Sequence, residues 1–175
     1  PQVLCVAAGQ TSEDSDIQLL STDNVGPRGK NTAASPGGDY TTDGNQGTSY
    51  STPQVAGVAA LMLQANATLG WRDVKEILIR TARKTDATDS DWVNNSGGFA
   101  FNHKYGAGFV DATAAVGLAR TWTNLGAEIS RTQSSTTSSA IPDNTPAGVA
   151  RALVISGAGD VRVETVEVTV SVTHA

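Results

Sequence analysis

The sequence predicts an α/β fold followed by a segment of β character, and three observations carry that prediction. Val3-Leu4-Cys5-Val6-Ala7-Ala8 is an unbroken apolar run that stops at Gly9, the pattern of a strand buried on both faces, as in a parallel sheet. Residues 53–120 carry apolar side chains at helical spacing in three separate stretches. Beyond residue 140 the period changes to two, with valine at 161 and 163 and again at 166, 168, 170 and 172.

Taken in order, the strand at 3–8 is followed by a polar, turn-rich stretch over 11–48, broken at Gly26-Pro27, Pro36-Gly37-Gly38 and Asp43-Gly44. A loop of that length signals function or missing structure; Thr32-Ala33-Ala34 is the one short strand expected within it. Pro53 suits the first turn of a helix, where its absent N–H costs nothing. Val55, Val58, Ala59, Met62 and Leu63 follow on one apolar face. A second helix is predicted over 71–81, with Trp71, Val74, Ile77, Leu78 and Ala82 inward and Arg72, Lys75, Glu76 and Arg80 outward. Residues 105–110 read as a short strand. Asp111 then caps a third helix over 112–120, with Ala115, Val116 and Ala119 inside. Residues 126–140 form a Ser/Thr-rich linker, which divides the chain into domains at 1–125 and 141–175. In the second, 151–155 and 161–172 read as strands, with a bulge or a break where the valine parity flips at Glu164-Thr165. Residues 141–175 are too few to close a β-sandwich, so that domain is expected to be truncated or completed by another chain.

The bulk numbers exclude more than they assign. With 175 residues the chain is one domain, or one and a fraction. A formal net charge of −5 argues against nucleic acid or an anionic membrane as the main partner. The longest apolar stretch, residues 55–63, is far short of the ~20 residues a bilayer span needs, and Gly57 interrupts it. Cys5 is the only cysteine, so no internal disulfide can form; it reads as a small buried hydrophobe. With no initiator Met and no leader pattern, the start at Pro1 reads as a cut end.

The chemistry centres on Ser49. Serine is a poor nucleophile unless a base and an oxyanion site serve it. Gly47 permits close backbone approach, and the helix that begins at about Ser49 to Pro53 points N–H groups and the positive end of its dipole toward that serine. The bland alternative is a Ser/Thr-rich turn capping an ordinary helix. An α/β-hydrolase elbow is excluded here, because G-x-S-x-G needs glycine where residue 51 is serine.

The run Gly47-Thr48-Ser49-Tyr50-Ser51-Thr52-Pro53-Gln54-Val55-Ala56-Gly57-Val58-Ala59-Ala60-Leu61 resembles the active-site serine motif of subtilisin-like serine proteases. Further segments are similar to the kexin/furin-like proprotein convertase branch. These are Thr41-Thr42-Asp43, Asn66-Ala67-Thr68-Leu69-Gly70-Trp71-Arg72-Asp73-Val74, His103-Lys104-Tyr105-Gly106-Ala107-Gly108-Phe109-Val110-Asp111-Ala112 and Ala119-Arg120-Thr121-Trp122. Ile141-Pro142-Asp143, Val163-Glu164-Thr165-Val166-Glu167-Val168 and Val172-Thr173-His174 look like the opening of that branch's P domain. The resemblance covers residues 40–175 well and 1–39 loosely. It implies the C-terminal part of an α/β catalytic domain with a mostly parallel sheet and flanking helices, followed by the start of a β-sandwich P domain. It also implies peptide-bond hydrolysis through an acyl-enzyme, a peptide or protein substrate, and a secreted or secretory-pathway location. Val6-Ala7-Ala8-Gly9-Gln10 is similar to the family's Ala-Ala-Gly-Asn segment, so Gln10 is a candidate oxyanion donor. A Gln10 side chain facing solvent is the open alternative. Calcium is the cofactor the resemblance brings, with Glu13, Asp14 and Asp16 as oxygen donors; an acidic solvated loop is the simpler reading of those carboxylates, and no organic cofactor is implied.

Subtilisin-like triads run Asp, His, Ser along the chain, yet residues 1–48 hold no histidine and no Asp-Ser/Thr-Gly. His103 and His174 lie downstream and read as packing or surface residues. The triad Asp and His are therefore expected from the N-terminal part of the same protease, and the chain alone is expected to be inactive. The competing function is a catalytically inactive pseudo-protease or autolytic fragment acting as a binding module. The missing base favours that reading; the intact serine motif opposes it. Asn66-Ala67-Thr68 and Asn94-Asn95-Ser96 match the acceptor pattern for N-linked glycans, and chance explains such short matches as readily as function.

Overall fold

A computed structural model describes residues 20–41, 48–157, 159 and 162–172. The predicted strand at 3–8, Cys5, Gln10 and the carboxylates of Glu13, Asp14 and Asp16 lie outside them, as does His174. The chain divides into two compact units, Pro1–Leu125 and Gly126–Ala175.

The first unit is built on three helices, α1 (Thr48–Ala65), α2 (Trp71–Thr81) and α3 (Ala112–Ala119). Both α1 and α2 pack against α3. The short side chains of Ala115 and Ala119, one turn apart and fully buried, let the longer helices approach closely. Around them Val58 and Met62 of α1, Leu69 of the α1–α2 connection, Ile77 and Leu78 of α2, and Val110 form the core. Asn66 ties the end of α1 to the end of α3, donating from Nδ2 to the Ala119 carbonyl at 3.0 Å.

The helix ends follow from local chemistry. The Asp111 side chain accepts the Ala114 N–H at 2.9 Å and caps α3. Asp73, at the third position of α2, reaches back to the Gly70 N–H at 2.8 Å. Pro53 sits inside α1 rather than in its first turn, because the helix starts at Thr48.

The faces differ from the expected ones at three positions, and Asp73 joins the buried side. Leu63 is 42% exposed and Trp71 58% exposed, so neither belongs to the core. Glu76 and Asp73 are buried. Glu76 tolerates burial because Arg80, one turn on, pairs with it at 2.7 Å. The Arg80 guanidinium in turn lies 5.4 Å from the Phe99 ring centroid and 5.8 Å from that of Trp122.

The sheet structure among the described residues is two antiparallel pairs: β1 (Ser21–Thr22) with β2 (Tyr40–Thr41), and β3 (Val93–Asn94) with β4 (Ala100–Phe101). The mixture of helices and small sheets is compatible with an α/β class; a parallel sheet does not occur among the described residues. Thr32-Ala33-Ala34 forms a bend in irregular backbone rather than a strand. That loop is organised by carboxylates: Asp23 accepts the N–H groups of Asn24 and Asn31, and Asp39 accepts that of Gly26 at 2.8 Å. The expected strand at 105–110 reduces to two isolated bridges, Phe109 with Arg83 and Gly106 with Asn102. Gly106 and Gly108 have φ of +60° and +123°, which break an extended run. A Cβ on Gly108 would collide with the Arg83 carbonyl.

In the second unit the described residues form neither helix nor strand. Alternating valines supply a face, but a strand also needs a neighbour for its N–H and C=O groups. Val163, Val166, Val168 and Val170 are exposed. The strands expected at 151–155 and 161–172, and the bulge between Glu164 and Thr165, are therefore not formed there.

Candidate active site

Ser49 is the second residue of α1 and is exposed to solvent. The first-turn N–H groups of a helix have no acceptor within the helix itself, so the serine stands beside backbone donors at the positive end of an 18-residue dipole. Side chains brace this turn. Thr52 Oγ1 donates to the Thr48 carbonyl at 3.1 Å, and Gln54 Nε2 donates to the Tyr50 carbonyl at 3.1 Å. Ser51, two residues past Ser49, is buried and Tyr50 is half-buried, which anchors the turn while Ser49 faces outward. Pro53 has no N–H to give to the carbonyl four residues back, so the Ser49 carbonyl lacks its helical partner.

Gln10 lies outside the described residues, so no distance relates it to Ser49. The described histidine, His103, engages its own loop. Its Nδ1 is 3.0 Å from both carboxylate oxygens of Asp91, its backbone N–H donates to Asp91 Oδ2 at 2.7 Å, and its ring meets Phe101 edge-on at 5.2 Å. The His103 backbone N–H first, and its side chain second, hold the Asp91 carboxyl below its ordinary value. Next to it Asp89 accepts from Lys104 Nζ at 2.5 Å and from the fully buried Asn102 at 3.2 Å. Among the described residues no group of three or more His, Cys, Asp or Glu is placed to hold a metal ion. Among the described residues no helix is long and apolar enough to cross a membrane.

The residue that sequence reasoning passed over is Asp73. Its Oδ1 accepts the Trp122 indole N–H at 2.8 Å and the Leu125 N–H at 2.7 Å, while Oδ2 takes the Gly70 N–H. Burial raises its pKa, but the bonds from Leu125, Trp122 and Gly70 and the charge of Arg72 outweigh burial and leave it below the ordinary value. It fastens the start of α2 to the last residues of the first unit. The spacing from Gly70 to Asp73, cap to third helical position, was the available signal.

Ser49 thus stands exposed on the leading turn of a helix rich in small residues. The profile of the Subtilase family matches residues 4–108, and the chain belongs to that family. Within it, the similarity is to kexin/furin-like proprotein convertases. A PC3-like endoprotease (variant B) of Hydra vulgaris is 48% identical over 83 residues, 47% of this chain and 12% of that protein. Proprotein convertase subtilisin/kexin type 6 of Homo sapiens is 50% identical over 82 residues, 47% of this chain and 8% of that protein. Furin-1 of Xenopus laevis is 41% identical over 85 residues, 49% and 11% of the respective chains. The matched region is thus about a tenth of each relative's length. Among solved structures, the serine protease of Aeromonas sobria superposes with a TM-score of 0.59 at 24% identity, covering 70% of this chain and 27% of that one. That likeness is one of fold.

Proposed function

We propose that the chain is the nucleophile-bearing, C-terminal part of a serine endopeptidase catalytic domain, followed by the start of a P domain. The exposure of Ser49 on the first turn of α1 carries the reading. Ser49 Oγ attacks the scissile carbonyl while a histidine from the N-terminal part of the same protease takes its proton. The tetrahedral oxyanion rests on first-turn N–H groups and the Gln10 amide. Collapse expels the amine, which leaves with the histidine's proton, and water then releases the acyl group from Ser49. Calcium enters this reading only as the ion the family resemblance brings, with no ligands assigned, and no chemical step depends on it. Leu61 and Leu63, on the outer side of α1, and Trp71 are exposed apolar surface that a further part of the same domain would cover. Location in the secretory pathway or outside the cell belongs to the same proposal.

A fluorophosphonate probe tests it. The isolated chain is expected to stay unlabelled for want of a base. A gene product that extends upstream through a histidine and an aspartate motif is expected to label at Ser49, with Ser49→Ala abolishing labelling and lowering kcat by about 10⁶-fold. A longer product that carries both motifs and fails to label would overturn the proposal.

A further inference from the structure

The two glycan-acceptor patterns have opposite surroundings in the fold. At Asn66-Ala67-Thr68 the side-chain amide is in use. Asn66 Nδ2 donates to the Ala119 carbonyl at 3.0 Å, and Oδ1 accepts from Thr68 N at 3.1 Å and Thr68 Oγ1 at 2.7 Å. Asn66 is half-buried between the ends of α1 and α3. A sugar on that nitrogen would compete with the contact that joins the two helices.

Asn94-Asn95-Ser96 stands at a hairpin tip. Asn94 is the last residue of β3, held through its backbone opposite Ala100, and its side chain is exposed with no hydrogen bond among the described residues. The next residue closes the turn: Asn95 N–H donates to the Phe99 carbonyl at 2.9 Å and Asn95 Oδ1 accepts the Phe99 N–H at 3.0 Å. Gly98, with φ +81°, completes the reversal, and Ser96 is exposed on it. The backbone of the acceptor is thus fixed while its amide and the Ser96 hydroxyl both face solvent.

We propose that Asn94 is an N-glycan acceptor and that Asn66 is a structural clasp that mimics one. The inference rests on the secretory-pathway reading, because that compartment supplies the co-reactant, an oligosaccharide linked to a lipid pyrophosphate. In the transfer a bond forms between Asn94 Nδ2 and the sugar's C1. The C1–O bond to the pyrophosphate breaks, the lipid pyrophosphate leaves with the electron pair, and one amide proton passes to base.

The full chain placed behind a cleaved secretory leader in eukaryotic cells tests this. The leader forces delivery, so a failure to glycosylate counts against the acceptor and not against the natural location. That location is read separately from the untagged gene product. Retained and secreted chains are deglycosylated enzymatically in heavy-oxygen water and mapped as peptides. Asn94 is expected to appear as heavy-labelled Asp in whichever fractions are recovered, with Asn66 unlabelled in the secreted chain. Asn94→Gln and, independently, Ser96→Ala are expected to lose the single-glycan mobility shift. Unlabelled Asn94, or labelled Asn66 in secreted chain, would overturn the assignment.

Discussion

Replacing Asp73 by Asn keeps the side chain's shape and removes its charge. The carboxylate is 4% exposed and accepts three N–H donors at 2.7 to 2.8 Å. Each hydrogen bond to a charged group contributes about 1.5–3 kcal/mol net. The Asn oxygen can still serve Trp122 and Leu125, more weakly, but the amide NH₂ then faces the Gly70 N–H. One bond is lost and two donors confront each other, so a loss of about 2–3 kcal/mol is expected. Asp73→Ala abandons all three donors, and non-additivity holds its loss to about 3–5 kcal/mol. With a urea slope of about 2 kcal/mol/M, Asp73→Asn lowers the unfolding midpoint by roughly 1–1.5 M at neutral pH. The pH dependence is a second readout. The folded pKa of Asp73 lies below the unfolded value, so its stabilisation is complete above the ordinary carboxylate range and is lost as pH falls through the folded value. The gap between the parent chain and Asp73→Asn should narrow as the medium is acidified below about pH 4. An unchanged midpoint at neutral pH, or a gap that stays constant with acid, would refute the reasoning.

Two further outcomes are expected. Gly108→Ala forces a side chain into a backbone of φ +123° and against the Arg83 carbonyl, and should lower stability by about 2 kcal/mol or more by thermal melt; an unchanged Tm counts against the Arg83–Phe109 bridge. In a completed enzyme, Gln10→Asn shortens the donor by one methylene and should raise kcat toward the about 10²–10³-fold that one oxyanion donor contributes. No change in kcat would remove Gln10 from the oxyanion site.

What was legible in the sequence was what short-range periodicity encodes. The limits of α2 and the Asp111 cap of α3 follow from side chains within a turn of one another. The burial of Glu76 did not, because it depends on Arg80 pairing with it and on Phe99 and Trp122 closing over Arg80, residues far along the chain. The strands expected at 151–155 and 161–172 failed for a related reason. Alternation specifies a face, while ladder formation depends on a partner strand that the pattern does not name. At the site, the position of Ser49 on a leading helical turn was legible because its motif is contiguous. Its relation to a base and to Gln10 is set by tertiary assembly, which contiguous sequence does not encode.

Pro53 has a dynamic consequence for Ser49. A helix propagates order by one backbone rung per residue, and fraying travels back along the same rungs. The missing rung between Pro53 and Ser49 interrupts that relay. Small readjustments of the leading turn can then be absorbed at the tip. The rods of the bundle, with Met62 at full burial against the α3 alanines, need not unzip for them.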